Sequence, residues 1–350
     1  MRDVTGAGSA MVQTTPPRRR VNLYGVQFDA VTEGDVIAMV RADLSQGRGG
    51  RIITPNVDIL RRAAKEPEAR AHIEASTVVV ADGTPLIWAA RLAGKALPAR
   101  VPGSDLIWSL NEAAALDGRS VYLLGGEPGT AEIAVEVLRR RFAGIRIAGH
   151  MSPPFGFDTR PEEYAQICAD VAATQPDIIF VGLGFPKQER VIARLRESLP
   201  QTWFMGCGAA IGFVAGVHSR APGWMQRSGL EWVHRLGREP RRLARRYLLH
   251  DTPFAVRLLS RSLVERLIRG DGAKTPTPRP VPTPRSAPAP AGHASGAVSV
   301  PTPPPVPVPR QRGEAVGIAR PYLTAPPADG DTTRARGVIR VAPPSDGPTP

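Results

Sequence analysis

The stretch around which the chain is organised is Ser76-Thr77-Val78-Val79-Val80-Ala81-Asp82-Gly83-Thr84-Pro85. Its run of β-branched residues predicts a strand buried on both faces. The strand ends at Asp82, and a helical pattern begins a few residues later, at Leu86. Open α/β sheets bind ligands at the carboxyl ends of their strands, which makes Asp82 a candidate catalytic residue. On position alone, a simpler interpretation is that Asp82 caps the following helix.

The composition favours an anionic partner and a reducing compartment. The chain has 350 residues, with 45 basic and 32 acidic residues and a formal net charge of +13. Such a balance favours binding to a membrane surface, a nucleic acid or a phosphorylated ligand. Cys168 and Cys207 lie in apolar stretches and are expected to be reduced core residues. Neither a secretory signal nor an apolar run of about 20 residues is found, so a soluble or peripheral protein is expected.

Strands and helices alternate over most of the chain. Residues 21–28 are predicted as one strand, residues 59–74 as a helix with a break at Pro67, and residues 177–182 as a second doubly buried strand. This alternation predicts an α/β fold: a Rossmann-like, doubly wound, mostly parallel sheet.

Changes in composition predict four segments. Residues 1–20 form a flexible leader, and residues 21–219 form the α/β domain. Residues 220–269 form a basic amphipathic helical appendage, in which twelve arginines stand against four acids. Such helices favour an anionic membrane surface, although each arginine could equally lie on a solvated helix face. Residues 270–350 form a Pro-rich tail that is expected to be disordered.

Two glycine-containing loops follow predicted strands. Gly125 and Gly126 precede a helix, where backbone N–H groups can bind phosphate, but their spacing is not that of the dinucleotide fingerprint. Gly184 precedes Lys187 and Gln188, whose amide can bind a ligand hydroxyl or a base edge. Lys187 and Glu189 could equally be an ordinary pair at the start of a helix.

A third polar loop contains Thr54, Asn56 and Asp58. Short hydroxyl and amide side chains suit the hydroxyl groups of a sugar, although they also build ordinary turns. Together with Asp82, these loops predict a polar cleft for a sugar and a diphosphate. No Cys/His cluster suggests a metal site, and no cofactor is expected.

In their order along the chain, these loops resemble the WecG/TagA/CpsF family of bacterial glycosyltransferases. The resemblance covers roughly residues 20–250. It is carried by Thr54-Pro55-Asn56, Ala81-Asp82-Gly83, Pro102-Gly103-Ser104-Asp105-Leu106, Gly184-Phe185-Pro186-Lys187-Gln188-Glu189, Gly206-Cys207-Gly208, Glu231-Trp232-Val233-His234-Arg235-Leu236 and Glu239-Pro240-Arg241-Arg242. One departure is Val57-Asp58, where relatives often carry Pro-Glu.

The resemblance implies an inverting, metal-independent hexosyltransferase with no cofactor. It would move N-acetylmannosamine or a related hexose from a UDP-sugar to a polyprenyl-diphosphate-linked sugar, in the biosynthesis of a cell-surface polysaccharide. The implied location is the cytoplasmic face of the plasma membrane, as a peripheral protein. Relatives also suggest a homo-oligomer, and no nucleic-acid partner is expected.

The resemblance also implies a role for each matching residue. Asp82 is the general base, and the substrate-binding residues are Thr54, Asn56, Arg100, Asp105, Gln188, Arg235, Arg242 and Arg245. The last three belong to an appendage that docks on the membrane and closes over the active site. Gly125, Gly126, Gly184 and Lys187 are the candidates for binding the nucleotide and its phosphates.

Two other functions are compatible with single features of the sequence. The Gly125 turn could belong to a nicotinamide-dependent oxidoreductase, although an acid that would bind the ribose is missing at the expected spacing. The basic segment could belong to an adaptor that binds a membrane or a nucleic acid, and such a protein would need no role for Asp82.

Overall fold

A six-stranded parallel sheet forms the centre of the computed structural model, which describes residues 18–95, 97–228, 231–238 and 240–268. The strands are β1 (Arg20–Leu23), β2 (Val26–Asp29), β3 (Gly50–Ile53), β4 (Val78–Val79), β5 (Ser120–Gly125), β6 (Arg146–Met151), β7 (Ile178–Gly182) and β8 (Trp203–Gly206). The sheet has the order β4-β3-β8-β7-β5-β6, and every pairing in it is parallel. The predicted parallel α/β fold is confirmed.

Helices follow the strands in chain order. They are α1 (Glu33–Ser45), α2 (Val57–Ala63), α3 (Pro67–Glu74), α4 (Thr84–Leu92), α5 (Gly103–Leu116), α6 (Thr130–Arg141), α7 (Pro161–Ala173), α8 (Lys187–Ser198), α9 (Ala210–Val214), α10 (Gly223–Ser228), α11 (Glu231–Arg238), α12 (Pro240–Ala244) and α13 (Thr252–Ile268). A 3-10 turn (Phe157–Thr159) precedes α7, and a π-helical segment (Arg245–Asp251) joins α12 to α13. The predicted break at Pro67 is confirmed, since α3 begins there.

Neighbouring residues of each strand point to opposite faces of the sheet, and helices cover both faces. On β3, Ile52 packs in a core with α1, α5, α6 and α9, whereas Ile53 packs in a core with α2, α3 and α4. A third cluster, under α7 and α8, completes the second face. Strands with apolar residues on both sides require this double cover, which is why residues 78–81 are hydrophobic at successive positions.

The N-terminal strand is a hairpin, so the prediction of one strand over residues 21–28 is wrong. Tyr24 and Gly25 have φ angles of 53° and 85°, which turn the chain back between β1 and β2. The buried Asp29 at the end of β2 accepts a hydrogen bond of 2.8 Å from the Val79 N–H. The hairpin thereby covers the edge strand β4, whose backbone groups would otherwise be open to pairing with another chain.

The helices after residue 220 pack partly on the α/β domain and partly expose apolar side chains. Phe254 and Leu258 of α13 are buried in the core that contains α4. Among the described residues, ten of the fifteen exposed large hydrophobic side chains lie after residue 220. None of the described helices has both the length and the apolar character needed to cross a membrane. The predicted leader up to residue 17 and the predicted tail lie outside the described residues.

Candidate active site

The loops at the carboxyl ends of β3 and β4 are joined by backbone hydrogen bonds. The Asp82 N–H donates to the Pro55 carbonyl at 3.0 Å, and the Val101 N–H donates to the Ala81 carbonyl at 2.9 Å. The segment before α5 therefore lies directly beside Asp82. These bonds bring three of the predicted substrate loops to one edge of the sheet.

Asp82 is partly exposed at this edge, one residue before the N-cap of α4. The N-cap residue is Gly83, whose φ of 135° is one that L-residues with side chains rarely adopt. Gly83 therefore occupies the capping position, and the predicted general base lies just outside the helix. Its catalytic role remains a prediction.

Thr54 and Asn56 follow β3. Thr54 is buried, and a Cβ built on Gly103 would lie 3.3 Å from its hydroxyl oxygen and 3.8 Å from the Cys207 Cα. Glycine at position 103 thus allows the start of α5 to pack closely against both loops. Asn56 is the N-cap of α2, where its side-chain oxygen accepts a bond of 3.0 Å from the Ile59 N–H.

Asp58, one turn into α2, pairs with Arg61 in the same helix. Arg61 also lies 3.4 Å from the buried Asp251 carboxylate, at the end of the π-helical segment. Burial, and then the charge of Asp58, raise the pKa of Asp251 to about 6. Asp58 therefore belongs to the contact between α2 and the C-terminal helices.

Glycines form a close backbone packing at the carboxyl ends of β5, β7 and β8. The Gly126 N–H donates to the Gly182 carbonyl at 3.0 Å. A Cβ on Gly125 would lie 2.4 Å from that carbonyl oxygen, and one on Gly182 would lie 2.8 Å from the Gly208 carbonyl oxygen. No residue with a side chain fits at Gly125 or Gly182 without a shift of the backbone.

This packing lies where the connections of the sheet diverge. The chain passes from β5 to β6 in one direction and from β7 to β8 in the other, so α6 and α8 cover opposite faces. Doubly wound sheets bind ligands in the crevice that forms at such a point. The Gly125-Gly126 turn then leads through Gly129 into α6, whose N-terminal backbone N–H groups favour an anion.

Gln188 is buried, and both ends of its amide bind protein groups. Its Nε2 donates to Glu189 at 3.0 Å, and its Oε1 accepts from the Gly208 N–H at 3.0 Å. A Cβ on Gly206 would lie 2.5 Å from both side chains. The structure thus places Gln188 beneath the Gly208 loop as a support, and direct contact with a substrate remains a prediction.

Glu189 is fully buried and pairs with Arg51 of β3, which is 2% exposed. The Arg51 Nε donates to Glu189 at 3.1 Å, and a second, shorter bond comes from its Nη2. The interpretation that Lys187 and Glu189 form an ordinary pair at the start of α8 is therefore wrong. The sequence analysis missed this pair; a charged residue in an otherwise apolar strand is the signal that could have indicated a buried partner for Arg51.

Lys187 lies near the residues that follow β6, whereas Asp82 follows β4, at the opposite edge of the sheet. Its ammonium pairs with Asp158 at 2.7 Å and lies over the rings of Phe155 and Phe157, which are 5.8 and 5.5 Å from it. The lysine lowers the pKa of Asp158. Before it, Gly184 has a φ of 78° in the turn that enters α8.

The C-terminal segment supplies the partners of two predicted substrate-binding residues. Arg100 donates to Glu231 of α11 at 3.1 Å, and Asp105 pairs with Arg220. All four side chains are partly buried. Neither Glu231 nor Arg220 was predicted as a site residue, because the partner of a charged residue cannot be identified from spacing over more than a hundred positions.

The three predicted arginines of the appendage are described to different extents. Arg245 begins the π-helical segment and is exposed. Arg235 and Arg242 lie on α11 and α12, but their side chains fall outside the part that the structure describes. Their roles remain predictions.

Cys207 and Cys168 are both free and buried, as predicted, and burial raises the pKa of the Cys207 thiol to about 12. Within the described residues, no three His, Cys, Asp or Glu side chains are grouped so that they could hold a metal ion.

Comparison with known proteins agrees with the resemblance. A sequence model of the Glycosyl transferase WecG/TagA/CpsF family matches residues 21–267. An N-acetylglucosaminyldiphosphoundecaprenol N-acetyl-beta-D-mannosaminyltransferase of Bacillus spizizenii is 32% identical over 202 residues, which are 58% of this chain and 76% of that protein. A protein of the same name from Staphylococcus aureus strain MW2 is 28% identical over 228 residues, which are 65% of this chain and 87% of that protein. The match covers both the polar edge of the sheet and the basic helices, and the chain is thus a glycosyltransferase that belongs to the WecG/TagA/CpsF family.

Proposed function

We propose that this glycosyltransferase moves N-acetylmannosamine or a related hexose from a UDP-sugar to a polyprenyl-diphosphate-linked sugar. The names of the two relatives support the acceptor and the transferred sugar. The observation that carries the proposal is the continuous edge from Asp82 through Gly103 and Gly208 to Gly126, in a chain of this family. It combines a carboxylate with a glycine-lined crevice for phosphates.

Asp82 acts as the general base. It takes the proton of the acceptor hydroxyl while that oxygen attacks the anomeric carbon of the donor sugar. The bond from the anomeric carbon to the UDP oxygen breaks on the opposite face, so the anomeric configuration is inverted and UDP leaves with the electron pair. The partial exposure of Asp82 suits this role, because a base must reach the hydroxyl and be ionised at the working pH.

The donor diphosphate binds at the crevice next to Gly125 and Gly126, where the N-terminus of α6 favours negative charge. Thr54 and Asn56 lie nearer to Asp82 and suit the transferred sugar. Gln188 holds the Gly208 loop between these two regions. In this proposal the anomeric carbon lies between the phosphate subsite and the base.

Arginine side chains stabilise the charge that develops on the departing UDP, so the reaction needs no metal ion. Guanidinium groups bind phosphate oxygens through two parallel hydrogen bonds and remain charged at all working pH values. We assign this role to Arg100, which Glu231 holds at the edge, and to Arg245, which begins the π-helical segment of the appendage. Full turnover in excess EDTA is the expected result, and loss of turnover that magnesium restores would contradict it.

The test of the proposal is UDP release by wild type and Asp82→Asn, with UDP-N-acetylmannosamine, UDP-glucose and a polyprenyl-diphosphate-N-acetylglucosamine analogue. General-base catalysis is worth about 100- to 10,000-fold, so Asp82→Asn should lose at least about 100-fold in kcat. Asp117→Asn is the matched control, because Asp117 lies at the other end of α5 and pairs with Arg41 on the surface. Unchanged turnover in Asp82→Asn would remove Asp82 as the base.

The protein acts as a peripheral protein at the inner face of the membrane, where its lipid-linked acceptor is found. Leu248 and Leu249 are exposed side by side in the π-helical segment, between Arg246 and the arginines of α13. Basic residues with exposed apolar side chains between them bind anionic lipid. Leu248→Ser/Leu249→Ser should lower the fraction that sediments with anionic vesicles, with no change in far-UV circular dichroism. Equal sedimentation would refute this surface.

Membrane docking and completion of the site are coupled through the arginines of the appendage. An Arg235→Ala/Arg242→Ala double variant should lose activity on a lipid acceptor, and full activity would refute the coupling. The family assignment argues against the nicotinamide-dependent oxidoreductase and the basic adaptor, which the sequence alone had left as alternatives.

A further inference from the structure

Arg220 lies on the segment between α9 and α10 and reaches the first turn of α5. Its Nη1 donates to the Asp105 carboxylate, and its side chain is 23% exposed. Asp105 follows Gly103 by two residues, at the point where α5 packs closely against the loops of Thr54 and Cys207. The pair of Arg220 and Asp105 therefore lies at the carboxyl edge of the sheet.

The chain reaches Arg220 from the other part of the proposed site. Ile211 of α9 lies against the glycine-lined crevice: a Cβ on Gly182 would lie 2.9 Å from its Cδ1, and a Cβ on Gly126 would lie 3.7 Å from its Cγ2. Arg220 follows Ile211 along the chain and contacts the start of α5, which lies beside the Asp82 loop. The segment between them thus runs from the crevice assigned to the donor diphosphate towards the proposed base.

Two nitrogens of Arg220 donate no hydrogen bond within the part of the chain that the structure describes. These are Nε and Nη2, and both are buried. In a guanidinium group, the Nε–H and one Nη2–H point in the same direction and form a two-pronged donor. Buried donors without an acceptor are unfavourable and are rare in native proteins. Such an edge therefore indicates a ligand that supplies the acceptors.

Other arginines of this chain show what that edge binds. Arg41 donates through Nε and Nη2 to the two carboxylate oxygens of Asp117, each at 2.6 Å. Arg190 does the same with Glu68, at 2.6 and 2.9 Å. In both cases one arginine edge holds two oxygens of one oxyanion, as is usual for guanidinium groups with carboxylates and phosphates. The corresponding edge of Arg220 fits a ligand of the same chemistry.

Asp105 fixes the orientation of this donor and balances its charge. The carboxylate engages Nη1, which leaves the Nε–Nη2 edge unused. Because the pair is neutral as a whole, it binds an oxyanion through directed hydrogen bonds and not through a net positive charge. Donors that are held in place before the reaction stabilise developing negative charge without a cost of reorganisation.

We propose that Arg220 is a further catalytic residue, whose Nε and Nη2 bind two oxygens of the β-phosphate of the donor. The proposal rests on the proposed function, in which phosphate is the oxyanion that the substrates supply, since N-acetylmannosamine has no carboxylate. As the bond from the anomeric carbon to the β-phosphate oxygen breaks, that phosphate receives the electron pair and both hydrogen bonds strengthen. Asp105 is then a positioning residue that acts through Arg220.

The first experiment measures binding without turnover. UDP and farnesyl diphosphate are titrated calorimetrically into the full-length wild type, Arg220→Gln, Arg220→Lys and Arg139→Gln. Arg139→Gln is the matched control, because Arg139 is exposed on α6 and pairs with Glu136. Each hydrogen bond to a charged group is worth about tenfold in affinity or more, so both Arg220 variants should bind UDP at least about tenfold more weakly than the control. Their affinity for farnesyl diphosphate should not change.

Arg220→Lys separates a phosphate contact from a purely structural ion pair. Lysine can keep the pair with Asp105, but it has no two-pronged edge. If Arg220 served only to hold Asp105, Arg220→Lys would bind UDP like the wild type, and that result would overturn the proposal. Weaker binding of farnesyl diphosphate alone would place the arginine on the acceptor diphosphate and overturn the assignment to the donor.

Chemical rescue tests the role of Asp105. In Arg220→Ala, the Asp105 carboxylate can hold a free guanidinium ion, so millimolar guanidinium chloride should restore part of kcat while the same concentration of ammonium chloride should not. In Arg220→Ala/Asp105→Asn the carboxylate is removed, and guanidinium should restore nothing. Equal recovery in both variants, or no recovery in either, would overturn the positioning role of Asp105.

The failure of this proposal and the failure of the proposed function give different results. Arg220 variants that keep their UDP affinity and kcat, in an enzyme that Asp82→Asn inactivates, would overturn the role of Arg220 and keep the function. UDP binding that depends on Arg220, with no turnover of any donor, would keep the phosphate contact and refute the function.

Discussion

The buried pair of Arg51 and Glu189 allows a quantitative test of how the site is supported. Arg51 is 2% exposed and Glu189 is fully buried, so neither charge has water around it. Removing one partner of such a pair typically costs about 3–5 kcal/mol, because the other charge is left buried without compensation. Glu189→Gln and Arg51→Met should each lower the free energy of unfolding by about that amount.

The double variant separates the charge from the shape of the site. Arg51→Met/Glu189→Gln has no buried charge, and replacement of a whole buried pair by neutral groups is often close to neutral in stability. Gln at position 189 still offers an oxygen to the Gln188 amide, which donates to Glu189 at 3.0 Å in the wild type. The double variant should therefore be more stable than either single variant, with a coupling of about 2 kcal/mol or more.

Urea unfolding followed by circular dichroism gives the four free energies of this cycle, and UDP release gives the matching rates. The single variants should lose kcat because an uncompensated buried charge at position 51 or 189 displaces the side chains beneath the Gly208 loop, and the double variant should recover part of it. Additive losses, or single losses below about 1 kcal/mol, would show that water reaches this pair and that it behaves like a surface ion pair.

Three further outcomes are expected. Gly125→Ala should lower the free energy of unfolding by about 3 kcal/mol or more, since its Cβ would meet the Gly182 carbonyl oxygen at 2.4 Å. Gly144→Ala, with open space around it, should lower it by only about 1–2 kcal/mol. Equal losses in thermal unfolding would contradict the close packing. Asp251 has its pKa raised from 3.8 to about 6, so its ionisation weakens the fold as pH rises between these values. Relative to Asp251→Asn, the wild type should lose about 3 kcal/mol from pH 3.5 to pH 7 in urea unfolding, and a constant difference would refute this. Glu231→Gln frees Arg100, so it should lower the KM for the UDP-sugar a few-fold, roughly the worth of a partly exposed ion pair, while Glu265→Gln, which breaks the pair with Lys95, should not.

The sheet was predictable from the sequence because its signal is local. Runs such as residues 78–81 and 178–181 are apolar at successive positions, which only a strand covered on both faces requires. The hairpin at residues 20–29 was not predicted, because alternation continues through Tyr24 and Gly25 and the turn depends on two positive φ angles. Alternation indicates which residues are buried and does not show where a strand reverses.

The site was predictable as a set of loops and not as a set of contacts. Each strand that ends in a glycine or a small polar residue marks the carboxyl edge, so Asp82, Thr54 and Gly126 could be placed there from the sequence. Arg51 and Glu189 are 138 positions apart, and Arg100 and Glu231 are 131 apart. Such pairings follow from the order of the strands and from the path of the C-terminal helices, which a single sequence does not encode in its spacing.

A motif also does not distinguish a residue that touches a ligand from one that holds the loop beneath it. The motif around Gln188 suggested a ligand contact, yet both ends of its amide are engaged within the protein. To reach a substrate, Gln188 would have to give up its bond to Gly208 or to Glu189, and a buried group left without its partner costs about 1–3 kcal/mol. Asp82, the proposed base, is instead partly exposed and lies outside the helix that follows it. A polar residue that follows a strand can therefore support a loop from beneath, as Gln188 does, or remain at the edge of the sheet as a candidate base, as Asp82 does.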